Sequence, residues 1–177
     1  WGIVFPMVNS REEAELAVEA ARYHPQGNRS VGGGRHALSF GTSAKEYYEN
    51  ANDQILVVVQ IEHIKGVENA DEILSVPGID ACFIGPNDLA ASMGLGLGVA
   101  LETDIPEVVE AITTIREACV RNGVAPGIHT SGAKGVQQRI NEGFQFCAMA
   151  SELRYMLGYL AEDQRPSLSP MRAASPA

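Results

Sequence analysis

Five short apolar runs, at residues 3–8, 55–61, 81–84, 124–129 and 144–149, are each followed by sequence with helical periodicity. That alternation constrains the fold more than any other feature. The runs ILVVVQI and ACFI are apolar with little alternation, the pattern of strands buried on both faces. Repeated βα units predict a parallel sheet with right-handed crossovers. Such units stay open or close into a (β/α)8 barrel, which takes about 250 residues and eight strands. Five units in 177 residues read as the last five of eight. The expected fold class is therefore α/β, a TIM-type barrel portion over residues 1–162. The Pro-, Ser- and Ala-rich stretch 163–177 is expected to be a disordered tail. The chain opens on Trp1 and enters a strand almost at once, so part of the native polypeptide is expected to lie upstream.

Between the strands, Ser10 and Glu13 have capping-box spacing for a helix to about Arg22. Residues 24–42, rich in Gly and Pro, read as a long loop. Residues 43–52 read as a short helix carrying Tyr47 and Tyr48, and 66–74 as a crossover helix. Gly94, Gly96 and Gly98 mark a second loop. Asp104, Pro106 and Glu107 signal a helix start, and Ser131 is the expected cap of a helix through Ile140. Leu153, Met156, Leu157 and Leu160 stripe a last helix.

Two apolar runs end in carboxylates. Glu62 closes the first, and Asp88 follows the second after Gly85-Pro86-Asn87. If the strands are parallel neighbours, both acids emerge at the C-terminal edge of the sheet, where α/β proteins bind ligands. Two hard oxygen ligands there suit Mg²⁺ or another divalent cation. Gln60 shares the strand face of Glu62, and His63 points the other way. His129 ends a strand at the same edge and can line the pocket. Arg29 and Arg35 are either loop salt-bridge residues or anion contacts.

A net charge of −9 argues against nucleic-acid or anionic-membrane partners. No apolar run approaches the roughly 20 residues that span a bilayer. Cys82, Cys119 and Cys147 fall in expected strands and a helix, which reads as reduced core thiols of a cytoplasmic protein.

Several pieces together resemble the HpcH/HpaI aldolase family, the metal-dependent pyruvate aldolases. They are Ile3–Val8 (IVFPMV), Arg22-Tyr23-His24-Pro25-Gln26-Gly27 with Arg29, Ala51-Asn52-Asp53-Gln54, Val59-Gln60-Ile61-Glu62, Phe83-Ile84-Gly85-Pro86-Asn87-Asp88-Leu89 and Ala125-Pro126-Gly127-Ile128. The resemblance runs to about residue 162 and implies a barrel in which Glu62 and Asp88 hold Mg²⁺, Mn²⁺ or Co²⁺. It implies Gln60 as the catalytic residue beside a bound 2-keto acid. The backbone N–H groups of Asn87 and Asp88, with Arg29, are implied as further substrate contacts. The implied reaction is retro-aldol cleavage of a 4-hydroxy-2-keto acid to a pyruvate-like acid and an aldehyde, in a homo-oligomer. An oxaloacetate-type decarboxylase on the same site and a non-catalytic truncated barrel are the alternatives. The family's Gly-Glu-His motif and keto-acid Arg lie upstream of Trp1, so these 177 residues alone are expected to be inactive.

Overall fold

The computed structural model describes residues 1–163, and the expected tail beyond Asp163 lies outside them. Five parallel strands form one sheet in the order β1-β2-β3-β4-β5. They are β1 (Gly2–Phe5), β2 (Leu56–Ile61), β3 (Ala81–Ile84), β4 (Ala125–Thr130) and β5 (Phe146–Met149). Sequential order with helical crossovers is the connectivity of a barrel, and the sheet curls as a barrel wall does.

One sheet face is sealed by helices. Val57, Val59, Ile61, Cys82, Ile84 and Ile128 point into a core shared with Ile73, Leu74, Val108, Ile112 and Ile115. Alternation puts Val4, Gln60, Phe83, His129 and Phe146 on the opposite face, where Val4 and Phe146 are exposed.

The helices follow local capping chemistry with several departures from expectation. Helix α1 (Arg11–Ala21) begins at Ser10, whose hydroxyl accepts from the Glu13 N–H. The Glu13 carboxylate accepts from the Asn9 N–H at 2.6 Å rather than from Ser10. The expected loop at 24–42 contains a helix, α2 (Arg35–Phe40), closed by Gly41 in the left-handed region. Helix α3 (Ala44–Gln54) follows the Ser43 cap. The crossover after β2 is two short helices, α4 (Ile64–Glu68) and α5 (Ala70–Leu74), divided at Asn69. The Asn69 amide donates to the Asn9 carbonyl, so a tertiary bond sits where one continuous helix was expected. His63 caps α4, its Nδ1 accepting from the Lys65 N–H.

Helix α6 (Pro86–Ser92) follows β3, and α7 (Pro106–Asn122) has Ile105 rather than Asp104 at its N-cap, with the Thr103 hydroxyl accepting the Ile105 N–H. Helix α8 (Ala133–Asn141) is preceded by Gly132, not Ser131. The Ser131 hydroxyl is engaged elsewhere, donating to Glu102 at 2.6 Å, and the Ser131 N–H also bonds Glu102. Helix α9 (Glu152–Asp163) leaves its stripe of Leu153, Met156, Leu157 and Leu160 exposed. Cys82 and Cys119 are buried free thiols, and Cys147 is half-buried. Among the described residues, no helix is long and apolar enough to cross a membrane.

Two polar clamps hold opposite ends of the sheet. At the N-terminal end, buried Arg22 donates to the carbonyls of Asn52 and Gly78 and pairs with Asp80 at 2.9 Å. Asp80 also accepts the Val57 N–H at 2.7 Å, tying β2 to the start of β3. Asn52 brackets Tyr23 through both its N–H and its carbonyl. Asp80→Ala strands a buried guanidinium and should cost about 3 kcal/mol in urea unfolding. At the C-terminal end, Glu102 holds the glycine loop to the end of β4. Burial raises the Glu102 carboxyl, but the Ser131 hydroxyl and N–H outweigh it and hold the group below its ordinary value of 4.5. A depressed folded value means the clamp is complete above that range and lost as the pH falls through the folded value. Glu102→Ala should therefore speed proteolytic nicking between Gly94 and Glu102 at neutral pH. The unaltered chain should show the same nicking only under acid conditions.

Candidate active site at the carboxylate rim

The sheet brings Glu62 and Asp88 to one rim. Ile61 pairs with Ile84, so Glu62 and Gly85 are the next residues on neighbouring strands. Asp88 follows in the first turn of α6, whose N-cap is Gly85; it lies within the helix and is not its cap.

Glu62 is the centre of the arrangement and is only 4% exposed. One carboxyl oxygen accepts the Met7 N–H at 3.1 Å, and the other accepts from Gln60 Nε2 at 2.5 Å. Burial pushes the Glu62 carboxyl above the usual carboxylate range, and the Met7 N–H pulls against that. The nearby Asp88 carboxyl raises it further, while the Gln60 amide opposes the rise. Among the described residues, the salt bridges leave Glu62 and Asp88 without a cationic side chain.

Strand β1 reaches Glu62 through a turn that the sequence did not reveal. The run 3–8 was expected to be strand throughout, but β1 ends at Phe5. Pro6 has no N–H for the ladder, and Met7 turns into the left-handed region at φ 56°. The chain then rejoins β2 through Val8 N–H to the Gln60 carbonyl at 3.1 Å. The turn aims the Met7 N–H at the carboxylate. Such a backbone donor has no side-chain signature.

Gly85 is also structural to the site. A Cβ there would collide with a Glu62 carboxyl oxygen and lie 3.1 Å from Gln60 Nε2. The small residue before Pro86 was the available signal. Gly85→Ala should displace Glu62 and lower stability by about 2 kcal/mol in chemical denaturation, with the sheet retained by circular dichroism.

Arg29 does not join this rim. Its guanidinium lies over the Tyr23 ring, 4.6 Å from the centroid, and bonds the Tyr47 hydroxyl at 3.1 Å. It lines a cavity with Trp1, Gly2, Ile3, Arg35 and Ile55, at the strands' opposite ends. Arg29, expected as a substrate contact, is packed at that end, and Arg35 lines the same cavity. Tyr47 and Tyr48 pack there with His36 and Tyr23.

The donor set at the rim is two carboxylate groups and an amide. Among the described residues, no group of three or more His, Cys, Asp or Glu gathers to hold a metal. Paired hard oxygens, one buried with no counter-charge, nevertheless fit a divalent cation that takes its remaining ligands from water or substrate.

The HpcH/HpaI aldolase/citrate lyase family model matches residues 1–157. The chain belongs to this family. A hydroxypyruvate/pyruvate aldolase of Rhizorhabdus wittichii is 39% identical over 86% of this chain and 59% of its own length. A 5-keto-4-deoxy-D-glucarate aldolase of Escherichia coli (strain K12) is 38% identical over 86% of this chain and 58% of its own length. An HpcH/HpaI aldolase/citrate lyase family protein of Burkholderia cenocepacia J2315 superimposes with TM-score 0.81 at 31% identity, covering 92% of this chain and 63% of that one. The chain therefore spans about three fifths of the relatives it matches. Its five βα units are a portion of a TIM-type barrel.

Proposed function

We propose that the polypeptide carrying this chain is a carbon–carbon lyase that cleaves a 4-hydroxy-2-keto acid by retro-aldol chemistry. The products are a pyruvate-like acid and an aldehyde. The observation that carries the reading is the buried Glu62 carboxylate beside Asp88 at the C-terminal rim, without a cationic partner among the described residues. Membership of the HpcH/HpaI aldolase/citrate lyase family, and relatives named as a hydroxypyruvate/pyruvate aldolase and a 5-keto-4-deoxy-D-glucarate aldolase, support it.

In this reading Glu62 and Asp88 hold a divalent cation, Mg²⁺, Mn²⁺ or Co²⁺. When bound, such a cation supplies Lewis-acid stabilisation of negative charge on oxygen. Gln60 keeps Glu62 oriented and presents its amide to the keto acid. The backbone N–H groups of Asn87 and Asp88 donate to the substrate carboxylate. The helix-sealed sheet beneath excludes water from one side, which strengthens each of these interactions. The exposed apolar stripe on α9 supports association of copies through that helix.

Titration calorimetry with Mn²⁺ tests the site without a substrate. The full polypeptide should bind the ion, and the ion should raise its thermal midpoint. Glu62→Gln should fold, lose that binding and lower cleavage of 5-keto-4-deoxy-D-glucarate by at least about 100-fold. Unchanged Mn²⁺ affinity in Glu62→Gln would overturn the assignment.

A further inference from the structure

We propose that His129 receives the aldehyde half of the substrate, hydrogen-bonding the oxygen that is a hydroxyl before cleavage and an aldehyde carbonyl after it. The inference rests on the lyase reading and assigns the half of the site that Gln60, Glu62 and Asp88 leave open.

Register carries the argument. Ile61, Ile84 and Ile128 are paired across β2, β3 and β4, and His129 pairs with Ala148 on β5. One residue further on, the same row reads Glu62, Gly85, His129, Ala148. Glu62 shares the face of Gln60, Gln60 pairs with Phe83, and Phe83 pairs with Gly127. His129, two residues beyond Gly127, is therefore on the face of Glu62. Neighbouring strands are spaced about 4.8 Å, so the Glu62 and His129 backbones stand about 10 Å apart. Only Gly85 lies between them, and its missing side chain leaves the space above it to the Glu62 carboxyl and the Gln60 amide, which reach over it from β2. The row beneath supplies an apolar floor: the Phe83 ring is 6.4 Å from the His129 ring and 5.6 Å from Phe146. A keto acid held at Glu62 and Asp88 thus extends across Gly85 towards His129.

The imidazole is prepared for that contact. Its Nε2 lies 3.3 Å from the Ala150 carbonyl, which can only accept, so Nε2 carries the proton. Ala150 is itself fixed, in the left-handed region at φ 53° and bonded through its N–H to the Thr130 carbonyl. In the neutral ring this leaves Nδ1 as an acceptor, and among the described residues it has no hydrogen-bond partner. A half-buried acceptor over an aromatic floor suits a hydroxyl donor on a short carbon chain. In cleavage the C3–C4 bond breaks, the C4 hydroxyl proton passes to solvent water, and the O–H electron pair it leaves forms C4=O. The bond's electron pair goes to C3, which later takes a proton to become the methyl group of pyruvate. His129 orients the C4 oxygen for that step.

Two readouts in the full polypeptide with Mg²⁺ separate the halves of the substrate. Exchange of the pyruvate methyl protons with deuterium from solvent, followed by NMR, needs only the keto-acid half. Cleavage of 5-keto-4-deoxy-D-glucarate needs both. His129→Leu should keep exchange within about twofold and lower cleavage kcat/KM by about 10- to 100-fold, with His129→Asn recovering part of the loss. Retained exchange also shows that the variant is folded. Unchanged cleavage in His129→Leu, or exchange and cleavage falling together, would overturn the role. Absence of both reactions in the unaltered protein would overturn the lyase reading and this inference with it.

Discussion

A carboxylate buried at the end of a parallel strand is the constraint on which the rest depends. Taking a charge out of water costs several kcal/mol unless it is compensated. At Glu62 the compensation is two hydrogen bonds, from the Met7 N–H and the Gln60 amide, and a second carboxyl group works against them. Three separate segments must converge for this to stand: the turn after β1, the end of β2 and the start of α6. A one-residue slip of β2 would turn Glu62 into the helix-packed core. The apolar alternation of Val57, Val59 and Ile61 thus sets the register of the site as well as the core. A divalent cation at the rim, as proposed, converts an unfavourable pair of like charges into a ligand set.

The two ends of the sheet are specialised differently. At the N-terminal end, Arg22, Asp80 and Asn52 satisfy one another and the chain ends of β2 and β3. At the C-terminal end, Glu62 and Asp88 form no ion pair with a cationic side chain among the described residues. This is the division expected of a barrel, with stability built at one face and chemistry at the other. It also explains Arg29. The stretch from Arg22 to Arg29 contributed to the family resemblance, but its residues serve the stabilising end, and Arg29 is held by Tyr23 and Tyr47.

What could be read from the sequence was what depends on local pattern. The five strands and their parallel class followed from apolar runs separated by helical periodicity. Glu62 and Asp88 stood out because each ends such a run. Three of the misses share a different physics. Ser131 was expected to cap α8, but the Glu102 carboxylate, distant in sequence, had claimed its hydroxyl. The crossover after β2 divides at Asn69, where a bond to Asn9 intervenes. The Met7 turn depends on a missing Pro6 N–H and a left-handed φ, and its effect on Glu62 passes through a backbone group. Each is a nonlocal bond that no window of sequence contains.

The rows across the sheet show why the rim has room for a substrate at all. Barrel interiors are filled in layers to which alternate strands contribute the large side chains. The rim row follows that rule: Glu62 on β2 and His129 on β4 are large, while Gly85 on β3 and Ala148 on β5 are small. One row down the pattern inverts on the last three strands, with Phe83 and Phe146 large and Gly127 small. The aromatic rings therefore rise beneath the gaps in the layer above. Glu62 and His129 are left on the rim above a row in which Phe83 and Phe146 supply the aromatic surface. A glycine at position 85 is thus required by the Glu62 carboxyl and the Gln60 amide, which occupy the space that a side chain there would fill.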